Sequence, residues 1–254
     1  MYNQTKIILL SLVLFTVAGC SVSRAVNKTL SPPADTKWVN VEVKNPSSYT
    51  KPFPLEVLYT STTCKRELMS MRDGKHYEKV GYNPVKIPLQ NQHDSDIWNA
   101  KIAKDGGGKC NWKLSEFNLG IEYIDATHLG KGLVPGTAVG ATIAFDDNAT
   151  KNGLFKTVHG DINLSPIYYP YIREVRLNST ETTLSLLGEK NFISLKADGT
   201  NKISFIPRLD ESKVTRYIGV AKKEPDSYAK IIYPDGSVAP EGTIIPDFNK
   251  INAK

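Results

Sequence analysis

From Trp38 onward, apolar and polar residues alternate with a period of two. Val39, Val41 and Val43 share one side of Val39-Asn40-Val41-Glu42-Val43, and Phe53, Leu55, Val57 and Tyr59 repeat the pattern. Successive side chains of an extended chain point to opposite faces, so both runs predict half-buried strands. The turn composition Asn45-Pro46-Ser47-Ser48 separates them. Val85, Ile87 and Leu89 alternate again, but Pro84 and Pro88 remove ladder donors and assign this run to an edge or make it short. Residues 65–83 are polar, with a turn at Arg72-Asp73-Gly74-Lys75. Residues 97–102 form a further strand, and Gly106-Gly107-Gly108 supplies the positive-φ positions of a hairpin loop into Cys110.

The return strand changes parity. Cys110, Trp112 and Leu114 fall on even positions, whereas Phe117, Leu119, Ile121 and Tyr123 fall on odd ones. Without an extra residue, one of the two apolar sets would face water, so a β-bulge is predicted at Ser115-Glu116. Short strands continue at 141–145, 162–164, 171–177, 183–187 and 192–197. Asp198-Gly199 then signals a hairpin returning through 202–206. Candidates at 214–221 and 228–232 follow, and the tail from Pro240 looks peripheral. No stretch sustains an apolar period of 3.6. The fold class expected is therefore mainly β, in antiparallel sandwich-like modules. The polar stretch Asn148-Ala149-Thr150-Lys151-Asn152-Gly153 is read as dividing an N-terminal β domain (37–150) from a C-terminal β region (151–254), with a single continuous sandwich carrying insertions as the alternative.

The amino terminus has a different pattern. Lys6 precedes an apolar run from Ile7 to Val17, too short for a bilayer that needs roughly 20 apolar residues. With its small-residue ending it reads as a cleaved signal peptide over residues 1–19. Val17-Ala18-Gly19-Cys20 resembles the lipobox of bacterial lipoproteins, in which the chain is cut before the cysteine and Cys20 is acylated. Residues 20–36 are polar and proline-bearing, and read as a lipid-anchored flexible tether to the membrane. Ser21 after the acylated cysteine implies, in enteric-type bacteria, the periplasmic leaflet of the outer membrane.

Composition narrows the alternatives. Cleavage after residue 19 leaves 235 of the 254 residues, and with Lys6 the only charge removed, the net charge falls from +6 to +5. Neighbourhoods such as Lys222-Lys223-Glu224 mix signs, and no dense basic block points to nucleic acid. With Cys20 assigned to lipid, two cysteines remain in an exported chain, and Cys64–Cys110 is the simplest disulfide. Two free thiols or half a metal site are the alternatives, but no CxxC and no histidine at ligand spacing accompanies either residue.

There is no GxSxG, HExxH, Walker A or GxGxxG before a helix, so neither an enzyme, a cofactor nor a metal is expected. His93-Asp94-Ser95-Asp96 has the residue types of a triad, but triad members converge from separate segments. Asp146-Asp147-Asn148 reads as a solvated turn. The densest aromatic stretch is Ile167-Tyr168-Tyr169-Pro170-Tyr171-Ile172-Arg173. Tyrosine and arginine dominate binding hot spots, which makes Tyr168, Tyr169, Tyr171 and Arg173 candidate partner contacts. Packing of this strand into the core is the competing reading. Trp98 and Trp112 are expected in the core near the disulfide.

Two segments carry a further likeness. Pro54-Leu55-Glu56-Val57-Leu58-Tyr59 leading to Cys64, and Asp105-Gly106-Gly107-Gly108-Lys109-Cys110-Asn111-Trp112-Lys113-Leu114, resemble enterobacterial lipoproteins associated with type VI secretion loci. Lipoproteins beside phospholipase effectors there act as immunity proteins. The resemblance covers mainly residues 38–124 and implies a toxin-neutralising binding protein with no catalytic residues. A structural or assembly lipoprotein, with an envelope component as partner, is the alternative.

Overall fold

The computed structural model describes residues 26–150, 153–176, 181–222 and 224–252. The signal peptide expected over 1–19 and the acylation expected at Cys20 lie outside the described residues. The protein is mainly β, in three sheets. The first has the order Ile162–Leu164, Lys202–Phe205, Trp38–Lys44, Ile97–Ala103, Gln90–Asn91. The second runs Lys156–His159, Phe192–Asp198, Val139–Ala144, Trp112–Tyr123, Leu55–Met69, His76–Ile87, with Thr50–Pro52 and Asp105–Gly107 also paired to Trp112–Tyr123. The third has Lys230–Ile232, Thr215–Ile218, Ile167–Glu174, Thr182–Leu187 and Val134–Pro135 in that order.

Alternation explains the inner faces. Val39, Val41 and Val43 from the first sheet meet Leu55, Val57, Tyr59, Phe117, Leu119 and Ile121 from the second in one apolar core. The Tyr59 hydroxyl donates to the Ala103 carbonyl at 2.9 Å, satisfying a phenol whose burial pushes its pKa up to about 12. The expected bulge lies at Ser115. Leu58 pairs with Glu116 but Tyr59 pairs with Leu114, so Ser115 is the inserted residue that keeps Leu114 and Phe117 both buried. The triple glycine turns the Asp105–Gly107 strand into Trp112–Tyr123, with Gly107 and Gly108 at φ of 55° and 72°. His76–Ile87 is an edge strand, in keeping with Pro84 inside it.

The pairing is mixed rather than purely antiparallel. Trp38–Lys44 runs parallel to Lys202–Phe205, and Val139–Ala144 runs parallel to Phe192–Asp198. These pairs also overturn the division near residue 150, because segments 156–164 and 192–205 contribute strands to both of the first two sheets. The same core contains Val39 and Phe205.

The Asp198-Gly199 hairpin does not form either. Phe192–Asp198 belongs to the second sheet and Lys202–Phe205 to the first, so the glycine (φ 70°) marks a corner where the chain changes sheet. A second corner at Gly160 accompanies it: Lys156–His159 runs parallel to the first arm and Ile162–Leu164 to the second. Asp161 ties the two together by accepting from the backbone N–H groups of Asn201 and Lys202, which holds its carboxyl below the ordinary aspartate range.

Residues 26–36, expected as part of a flexible tether, instead lie against the body. Trp112 Nε1 donates to the Asn27 carbonyl at 3.0 Å, Asn83 Nδ2 to the Lys28 carbonyl at 2.8 Å, and the Ser31 N–H to the Gly106 carbonyl at 2.8 Å. The glycines permit this approach, since a Cβ on Gly107 would sit 2.2 Å from the Ser31 carbonyl oxygen. The tail is also more than peripheral. A short helix, Phe248–Asn252, buries Ile251 beside Tyr169 and Ile231 in a second apolar cluster.

Candidate functional site

The most exposed element is an arm formed by the outer halves of Leu55–Met69 and His76–Ile87. These strands pair from Leu55 and Ile87 to Ser61 and Gly81, break register, and resume from Arg66 and Lys79 to Met69 and His76. The neighbouring Trp112–Tyr123 strand pairs no further out than Thr60. Beyond that point the hairpin has only two strands, an arrangement of marginal stability in water without a packed face.

Local contacts hold it. Lys65 pairs with Glu78 at 2.7 Å, and the Arg66 guanidinium lies 3.9 Å from the centroid of the Tyr82 ring. At the root, the Cys64–Cys110 disulfide joins the arm to the turn after Gly108, with an S–S distance of 2.05 Å. The bulge carrying Cys64 needs Gly81 opposite, because a Cβ there would fall 1.8 Å from the Cys64 carbonyl oxygen. At the tip, Met71 is 96% exposed and Met69 57%. Five cations (Lys65, Arg66, Arg72, Lys75, Lys79) face three anions (Glu67, Asp73, Glu78) along residues 62–80. The sequence shows residues 65–83 as polar with a turn at Arg72–Lys75, because His76–Lys79 are exposed throughout and the side that half-buries Cys64, Arg66 and Leu68 carries only one large apolar residue.

The aromatic run divides. Tyr168 and Tyr169 are 0% and 1% exposed, so they are core residues rather than partner contacts. They are consecutive yet both buried because the strand is covered on both sides, Tyr168 belonging to the main core and Tyr169 to the second cluster. Tyr169 donates its hydroxyl to Asn252 Oδ1 at 2.7 Å. Tyr171 is half-buried and Arg173 exposed. Together with Tyr217, Leu187 and Ile244 they line a depression of about 350 Å³. The Arg173 guanidinium lies 5.4 Å from the Tyr217 ring centroid, and the adjacent Ile244 and Ile245 are both about three-quarters exposed. Trp112 is fully buried beside the disulfide, whereas Trp98 is half-buried under the Lys51 ammonium.

One titratable pair was not visible in the sequence. His128 Nε2 lies 2.8 Å from Glu211 Oε1, 83 residues away, and the ring stacks parallel on Tyr49 with centroids 3.6 Å apart. Tyr123 donates to the same carboxylate oxygen at 3.3 Å. A histidine bonded to a carboxylate is half of a hydrolytic triad, but here Nε2 already holds the carboxylate and Nδ1 is buried without a partner. The geometry clasps two loops. His128→Ala removes the stacked ring and the bond together, and should lower stability by about 2 kcal/mol. Glu211→Gln keeps the stacking and should cost less than half of that, as read from urea midpoints.

His93-Asp94-Ser95-Asp96 is an exposed loop in which His93 and Asp94 take positive φ, and no catalytic geometry forms there. Among the described residues, no group of three or more His, Cys, Asp or Glu could hold a metal ion, and no helix is long and apolar enough to cross a membrane. The fold and surface define a disulfide-stapled, mixed-sheet β protein with a projecting arm. No family model, curated protein or solved structure matches the chain.

Proposed function

We propose that this protein is an outer-membrane lipoprotein facing the periplasm that binds and neutralises a lipase toxin delivered by type VI secretion, without catalysing a reaction itself. The observation that carries the reading is the Met-tipped arm. A two-stranded ribbon with an almost fully exposed Met71 is completed by a partner surface, and methionine adapts to apolar clefts of irregular shape. A lipase presents such a cleft to its acyl substrate. The Tyr171–Arg173–Tyr217 face offers a second contact of hot-spot composition. The resemblance around Cys64 and Cys110 supports the choice of toxin class. An acyl anchor on Cys20 would raise the effective concentration of the inhibitor at the membrane under attack.

The test is co-expression with the lipase encoded beside this protein, together with binding by the purified pair. The wild type should protect cells and bind. Met69→Ser with Met71→Ser should weaken binding by at least tenfold, about 1.4 kcal/mol, at unchanged melting temperature. Tyr171→Ala with Arg173→Glu tests the second face in the same assay. Absence of binding to that lipase, with recovery of envelope proteins in its place, would favour the assembly-lipoprotein reading.

A further inference from the structure

The outer face of the first sheet has an unusual composition. Its inner residues Val39, Val41 and Val43 are buried, so the alternate residues of the same strands point away from the core. Register places Lys202, Asn40 and Lys101 side by side across three strands. Glu42, Asn99 and Gln90 form the adjoining row. These side chains, with Gln92, floor a groove of about 780 Å³ walled by Ile87 and Pro88.

Asparagine is disfavoured in strands, where a solvent-facing position more readily takes threonine or a β-branched residue. Two strand asparagines on one face, joined by two neighbouring glutamines, break that local rule with no gain in packing. Their polar groups are only partly used. Asn99 Nδ2 donates to Gln92 Oε1 at 3.1 Å, which leaves the Asn99 carbonyl oxygen, the second Asn99 N–H and the Gln92 amino group free. Lys202 pairs with Glu42 at 3.3 Å. Among the described residues, the side chains of Gln90 and Lys101 have no bonding partner.

We propose that this groove binds a hydroxyl-rich oligosaccharide. Each sugar hydroxyl both donates and accepts, which matches an array of amides that does the same. The apolar wall of Ile87 and Pro88 suits the C–H faces of a pyranose ring. The ladder fixes the backbone positions of the array and the Asn99–Gln92 bond restrains two of its amides, while the Gln90 side chain is ordered only on binding. The charge is close to balanced, two ammonium groups against one carboxylate, which is too weak for a nucleic-acid backbone. The inference is independent of the toxin-binding reading, since the groove contains neither the arm tip nor the Tyr171 face.

Titration of the full chain followed by NMR of the side-chain amides tests it, with the tetrasaccharide of N-acetylglucosamine and cellotetraose as probes and inorganic phosphate as control. Saturable shifts of the Asn40, Gln90, Gln92 and Asn99 amides are expected for at least one sugar, with a Kd on the order of 1 mM. Asn99→Ala and Gln90→Ala should each weaken that binding by about tenfold with an unchanged unfolding midpoint. The proposal is overturned if neither sugar produces saturable shifts up to about 20 mM, if only phosphate does, or if both variants bind sugar as tightly as the wild type.

Discussion

Cys64→Ser combined with Cys110→Ser lowers the unfolding free energy by about 4 kcal/mol, the chain-entropy value for a loop closed across a sequence separation of 46. The bond joins the root of a marginal ribbon to the turn that leads into the central strand of the second sheet. Its loss therefore releases the arm first. Denaturant unfolding with and without reductant gives the total, and hydrogen exchange locates it. Amides of residues 62–80 should lose protection at denaturant concentrations where those of Val39 and Val41 keep theirs. A uniform loss across both groups would show that the bridge constrains the whole chain rather than the arm.

Gly140→Ala should cost on the order of 3 kcal/mol, through steric overlap rather than lost contacts. Gly140 and Gly120 face each other across neighbouring strands. A Cβ on Gly140 would lie 1.9 Å from the Leu119 carbonyl oxygen, and one on Gly120 2.8 Å from the Phe53 ring. The Leu119 carbonyl is ladder backbone and cannot retreat, and the same holds for the Val139 carbonyl oxygen, which a Cβ on Gly120 would approach to 2.0 Å. Gly74→Ala is the comparison: its Cβ meets nothing within 4 Å, and only the positive φ is strained, so it should cost about 1 kcal/mol. Thermal or urea unfolding of the two variants separates crowding from backbone strain.

Strand positions buried on one side were legible in the sequence because alternation reports burial directly. Val39 to Val43 and the parity change at Ser115 are the clearest cases. Three kinds of feature were not legible. The arm half-buries Cys64, Arg66 and Leu68 on one side but fills that side with a cysteine and an arginine, and so carries no apolar period. The Asp198-Gly199 turn is local chemistry, and whether the chain pairs back or crosses to another sheet depends on the partner segment 156–164. Tyr168 and Tyr169 break alternation because their strand is covered on both sides, a fact set by the distant helix Phe248–Asn252. The His128–Glu211 clasp joins residues 83 apart that no motif links, and the amide-lined groove was equally hidden, since its residues come from five separate strands.

Docking of residues 26–36 onto the glycine turn shortens the leash. On the lipid-anchored reading, only six peptide units separate Cys20 from Val26, and a fully stretched chain of that length reaches about 20 Å. On that reading the body would be held within about that distance of the leaflet, and inserting a long Gly/Ser spacer before Val26 would extend its reach while lowering its effective concentration near the lipid.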